Sequence, residues 1–189
     1  MSLTKDPRAN VIVARVKNII TKPSAEWDVI AAEPATVKSL YTGYAMILAA
    51  IPCVAGFLGT VMIAPRAAGI ALITAISSYI LGLLGIAVMA LVVDFLAPKF
   101  GGTSNQVNAF KLAIYSATPV WIAGVLLILP VLGGLAILIG VVYSLYLFYL
   151  GVPKLMKTPV SQAGIFTIVA LVVNVLVQFC IRALAGIGH

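Results

Sequence analysis

Five long apolar runs separated by short polar breaks leave this chain little freedom of fold. They cover residues 39–63, 68–96, 109–129, 131–150 and 162–187. A run of about 18 or more apolar residues can cross a bilayer as a helix. Inside hydrocarbon every backbone N–H and C=O needs an internal partner, which a helix supplies by itself. The sequence therefore predicts an all-α, polytopic membrane helix bundle of about five transmembrane helices. Composition agrees, with 62% hydrophobic and 9% charged residues, against about 45–50% and about 25% in soluble domains. The run 68–96 exceeds a perpendicular crossing of about 30 Å at about 1.5 Å per residue, so it tilts or extends into water. The fourth run reaches spanning length only by including residues 131–134.

The net charge of +7 follows a membrane pattern. With the N-terminus inside, Lys5, Arg8, Arg15, Lys17, Lys22, Lys38, Lys99, Lys111, Lys154 and Lys157 fall on the cytoplasmic side, and Arg66 and Arg182 outside. That bias is the positive-inside rule. It leaves no compact basic face for a duplex, so no nucleic-acid partner is expected. Residues 1–38 read as a cytoplasmic segment and 39–189 as the five-span domain, with His189 outside. The first apolar stretch is interrupted by Arg15, Lys17 and Asn18, unlike the h-region of a signal peptide, so the chain is expected to be retained whole.

Within the N-terminal segment, Ile12, Val13, Val16, Ile19 and Ile20 recur with helical period. Arg15, Lys17 and Lys22 lie on the other side. The expectation is an amphipathic interfacial helix over residues 8–21, with its apolar face toward acyl chains and its cations toward anionic lipids. Pro23 ends it, and Ser24 is expected to cap a second short helix over residues 25–32. Trp27 on that helix is expected to anchor at the headgroups, as are Tyr146 and Tyr149 beside Lys154 and Lys157.

Cys53 and Cys180 lie in separate apolar runs, and His189 is the only histidine. A zinc or iron–sulfur site needs several such ligands at close spacing, so no metal and no other cofactor is expected. The sequence leaves open whether the two thiols meet. No span contains His or paired acids that could serve a nucleophile, so no enzymatic activity is expected.

Three stretches carry a resemblance: Pro23-Ser-Ala-Glu-Trp27, Tyr115-Ser-Ala-Thr-Pro119, and Tyr143-Ser-Leu-Tyr146 continuing through Gly151-Val-Pro153-Lys-Leu-Met156. Together with the order of parts, they resemble the Yip family, small polytopic proteins named for interaction with Rab/Ypt GTPases in eukaryotes and also present in bacteria. The resemblance runs from about Pro23 to the end. The acidic Asp-Leu-Tyr-type element of eukaryotic relatives does not precede the first span. The short N-terminus and compact loops look like the bacterial branch, where Rab partners are absent and the bacterial inner membrane is the implied location.

Polar side chains inside spans cost about 2.5–3.5 kcal/mol when charged and central, and mark candidate sites. Asp94 is the only acid within a span, and its expected partner is Lys111, then Lys99 or Lys154. Asn174, Gln178 and Arg182 repeat every four residues and share one face of the last helix. Asn174 lies about 18 Å deep at about 1.5 Å per residue. Pro52, Thr118-Pro119, Tyr115 and Tyr143-Ser144 fall at similar depth, and the prolines release the carbonyls of Leu48 and Tyr115. These features predict a packed polar centre or a small cavity. The functional expectation is a non-enzymatic Yip-type protein that organises or shapes the bilayer, or holds partner proteins or further copies through helix contacts. The alternative is a small transporter or channel built on the mid-membrane polar pocket.

Overall fold

The computed structural model describes residues 7–184, and every regular element among them is helical. Two helices form an N-terminal hairpin: α1 (Pro7–Thr21) and α2 (Pro23–Ala32). Pro23 occupies the first turn of α2, where a missing N–H costs nothing. Ser24 is not the cap expected of it: Lys22 holds that position and makes no side-chain capping bond. The apolar stripe of α1 is divided. Ile19 is fully buried and Ile12, Val16 and Ile20 pack on the same core, whereas Val11 and Val13 are exposed. Most of the face expected to meet acyl chains is therefore covered by the protein's own helices.

Five helical segments are long and apolar enough to cross a membrane: Val37–Ile63, Pro65–Phe100, Gln106–Ile128, Val131–Met156 and Val160–Val177. The first opens with a capping box between Thr36 and Ser39, forms α3 (Val37–Leu40), widens into a π turn at Tyr41–Ala45 and continues as α4 (Met46–Ile63). A single 3₁₀ turn, Pro65–Ala67, leads to α5 (Ala68–Leu96), which matches the apolar run residue for residue.

The third span is not one helix. It comprises α6 (Gln106–Ser116), α7 (Thr118–Ala123) and a 3₁₀ stretch, Gly124–Ile128. Pro119 cannot donate to Tyr115 O, so the helix restarts with proline in its first turn. In this span 56% of the most apolar window is buried, against 22–28% in the other four. Its mean hydropathy is 1.6 where the others reach 2.2–2.6. The two facts share a cause: the third span is the axis of the bundle, facing protein instead of lipid.

The fourth span, α8 (Pro130–Met156), passes its expected end at residue 150. The expected loop becomes helix because Val152, Leu155 and Met156 are buried. Gly151 permits that contact, since an added Cβ would lie 2.6 Å from Leu112 Cδ1 and 2.8 Å from Trp27 Cε2. The chain turns at Lys157, in the left-handed region at φ 55°, and enters α9 (Val160–Leu184). The expected tail of this run, to residue 187, lies outside the described residues. Around the third span, α5 and α8 pack on α6, α4 packs on α7 and the 3₁₀ stretch, and α9 lies across α5 and α8. Below, the end of the bundle carrying the α1–α2 hairpin is called proximal and the other end distal.

Candidate functional site

Two polar regions adjoin the third span, one on each side of its break. The proximal one is charged. Arg15 of α1 donates to both Glu26 of α2 and Glu33 just beyond it. Lys111 of α6 is 4% exposed. Its Nζ donates to Ile30 O at 2.8 Å and Glu33 O at 2.5 Å, two carbonyls at the end of α2. An ammonium there satisfies orphan acceptors and meets the negative end of the helix dipole. Two cations and two carboxylates thus form a neutral quartet that clasps the hairpin to the third span. Burial opposes the charge on Arg15, but the hydrogen bond and charge of Glu33, with Tyr115 and Glu26, outweigh it and raise its pKa.

Aromatic rings close the clasp. Tyr115 lies edge-on to Trp27 at 6.5 Å and to Tyr44 at 4.8 Å, under the Arg15 guanidinium at 5.6 Å. The Tyr44 hydroxyl pairs with Thr118 Oγ1 at 3.0 Å. The π turn sets Tyr41 and Tyr44 toward different spans, with the Tyr41 hydroxyl donating to Leu83 O at 2.9 Å. Tyr79 and Tyr143 act similarly, reaching Met46 O at 3.0 Å and Ile20 O at 2.7 Å. Each hydroxyl ties one helix to another.

The second region is an open-sided cleft of about 290 Å³ lined by α5, α6–α7, α8 and α9. Ser116, Ser144 and Asn174 line it, and Ser116 Oγ, Ser144 Oγ and Asn174 Oδ1 are buried with no hydrogen-bond partner. Among the described residues no Asp, Glu, Lys, Arg or His contributes to its wall. It abuts a larger cleft of about 480 Å³ between α4 and α5, and Gly82, Val120 and Trp121 border both.

Several expectations change. Asp94 and Lys111 do not pair: Ser104 Oγ donates to Asp94 Oδ1 at 2.8 Å, while Lys111 is committed to the end of α2. The other expected partners are also engaged, Lys99 over the Phe95 ring at 4.0 Å and Lys154 with Asp28 at 2.6 Å. Trp27 is not at a free surface. It is fully buried, and its Nε1 has no acceptor, because α2 packs its indole against Gly151 of α8. Arg15 faces the two glutamates, whereas Lys17, Lys22, Tyr146 and Tyr149 are exposed. Pro119 is buried at the helix break. The side chains of Gln178, Cys180 and Arg182, and His189, lie outside the described residues.

Sequence reading missed Glu26, Glu33, Tyr41, Tyr44, Tyr79 and Ser116. The low hydropathy of the third run was the one available cue, since a span rich in polar groups must face protein. The three stretches that carried the family resemblance meet in space. Trp27 touches Gly151 and Tyr115, and Ser116 and Ser144 face one cleft.

The family model for the Yip1 domain matches residues 17–181. The inner membrane protein YohC of Escherichia coli K12 is 29% identical over 189 aligned residues, covering 93% of this chain and 95% of that protein. The corresponding protein of Escherichia coli O6:H1 shows the same identity and coverage. No solved structure matches. With the family model covering α2 and the five segments within residues 37–177 that are long and apolar enough to span a membrane, this chain belongs to the Yip1-domain family.

Proposed function

We propose that this protein organises the bilayer without performing catalysis, with the proximal end cytoplasmic and the bundle in a bacterial inner membrane. The observation that carries the reading is the engagement of intramembrane charge. Lys111 is engaged by two carbonyls and Asp94 by a serine, and among the described residues neither cleft is lined by an ionisable acid or base apart from Tyr79 and Cys53. An ion- or proton-coupled carrier needs titratable groups along its path. The sequence bias that puts ten of the twelve basic residues in the N-terminal segment and the segments expected inside supports the orientation. The name of the Escherichia coli relatives supports the membrane. Exposed Lys17, Lys22 and Lys38 around the hairpin offer a basic rim to anionic lipids, and the exposed apolar faces of the outer helices offer surfaces to partner proteins or further copies.

Reconstitution into proteoliposomes tests this reading. Vesicle shape and clustering, seen by electron cryomicroscopy, should change with the protein when anionic lipid is present, and less so at high salt. Proton and cation flux should stay at the protein-free level. A flux that Asp94→Asn abolishes while the fold survives would overturn the proposal in favour of a carrier. On a background lacking Cys53 and Cys180, cysteines at Asn108 or Lys154 should react from the cytoplasmic side, and those at Arg66 or His189 from outside. Labelling of both sets from one side contradicts the orientation.

A further inference from the structure

We infer that the cleft at Ser116, Ser144 and Asn174 is a binding site for an uncharged amphiphile. Its hydroxyl-bearing polar group sits against those three side chains, and its hydrocarbon chain lies in the adjoining cleft between α4 and α5.

The polar end rests on hydrogen-bonding capacity. Ser116 is 5% exposed, and its Oγ, Ser144 Oγ and Asn174 Oδ1 lack partners among the described residues. All three border one space of about 290 Å³. Both hydroxyls can donate and accept, while the amide oxygen only accepts. A ligand that satisfies all three must itself carry at least one donor, as a hydroxyl does. These groups lie deep: Ser144 is 14 residues into α8 and Asn174 is 14 into α9, roughly 21 Å along each helix. At such depth bilayer hydrocarbon cannot satisfy them.

Charge is excluded by the same wall. With no cation or anion lining the cleft among the described residues, a phosphate, carboxylate or ammonium would lose its hydration without gaining a counter-ion from them. That separates the ligand from the phospholipids around the bundle. The chain end rests on continuity. Gly82, Val120 and Trp121 border both spaces, and the larger, about 480 Å³, is lined mostly by Ala, Gly, Pro and aromatic side chains. Ala49, Gly56, Ala71 and Ala75 on α4 and α5 keep this space open. An added Cβ at Gly82 meets nothing within 4 Å.

The inference rests on the bilayer-organising reading in one respect, that the cleft holds a lipid and does not conduct a solute. The test uses the full chain in nanodiscs doped with a diazirine-tagged monoacylglycerol or with phosphatidic acid carrying the same tagged chain. After irradiation, crosslinked peptides are mapped by mass spectrometry. The monoacylglycerol probe should mark residues bordering Gly82, Trp121 and Ser144, and excess untagged monoacylglycerol should compete it away. The phosphatidic acid probe should mark only outer faces, such as the surroundings of Ile73 and Val142. Gly82→Leu should abolish cleft labelling by filling the open space. Asn174→Leu should weaken it about tenfold, the scale of one buried hydrogen-bond partner lost. Asn174→Leu also keeps the test decisive if Gly82→Leu does not fold. Equal cleft labelling by both probes, or labelling indifferent to these variants, overturns the inference. Loss of cleft labelling with vesicle organisation intact would sink the cleft alone, whereas measurable flux would sink the functional reading.

Discussion

The clasp and the cleft both contain polar groups held away from water, yet they are finished differently. At the clasp, the charged groups of Arg15, Glu26, Glu33 and Lys111 all have partners and the Tyr44 hydroxyl finds Thr118, while the neutral Trp27 Nε1 has none among the described residues. In the cleft, three polar atoms have none. A buried charge left alone costs far more than a hydroxyl left alone, so the charged region must be closed by the protein itself. The neutral region can stay open. Ser116 and Thr118, two residues apart across the helix break, serve the two regions separately.

The largest effect should come from Lys111→Met. It uncaps α2 and leaves two carboxylates facing one guanidinium, so unfolding in detergent should be easier by about 3–5 kcal/mol. The hairpin should also become protease-sensitive. Unchanged stability would mean that the clasp does not hold the hairpin. Gly151→Leu should follow at about 1–3 kcal/mol, because Trp27 and Leu112 leave no room for its side chain. A well-tolerated leucine would show that α2 is not tightly seated on α8. The smallest effects belong to Asp94→Asn and Ser116→Ala, each within about 1 kcal/mol. Asparagine keeps an acceptor for Ser104, and alanine removes a hydroxyl that has no partner. A loss above that from Ser116→Ala would reveal a structural bond inside the cleft and blur the contrast.

The spans were legible because a bilayer demands uninterrupted apolar length, and α5 coincides with its run. The interruption at Pro119 was legible from the chemistry of proline. The partners of the charges were not. Lys111 meets carbonyls of residues about 80 positions earlier, and no local pattern distinguishes an interfacial cation from one folded onto a helix end. Trp27 illustrates the same limit, since an indole beside a span reads as a headgroup anchor whether lipid or Gly151 covers it. Residues 151–156 read as a loop through Pro153 and Lys154, although Val152, Leu155 and Met156 bury them as helix. The cleft was half visible: Ser144 and Asn174 stood out by depth, and Ser116 was hidden in a motif read for its proline.

The most direct test of the central claim, that α1 and α2 are bound into the bundle as a charge-neutral unit, is a double-mutant cycle between Arg15 and Glu26. Unfolding free energies in detergent would be compared for Arg15→Met, Glu26→Gln and the double variant. Arg15→Met strands buried Glu26, and Glu26→Gln leaves Arg15 with Glu33 alone, so the account predicts that the double variant is less destabilised than the sum of the two by at least about 1 kcal/mol. Strict additivity would contradict it.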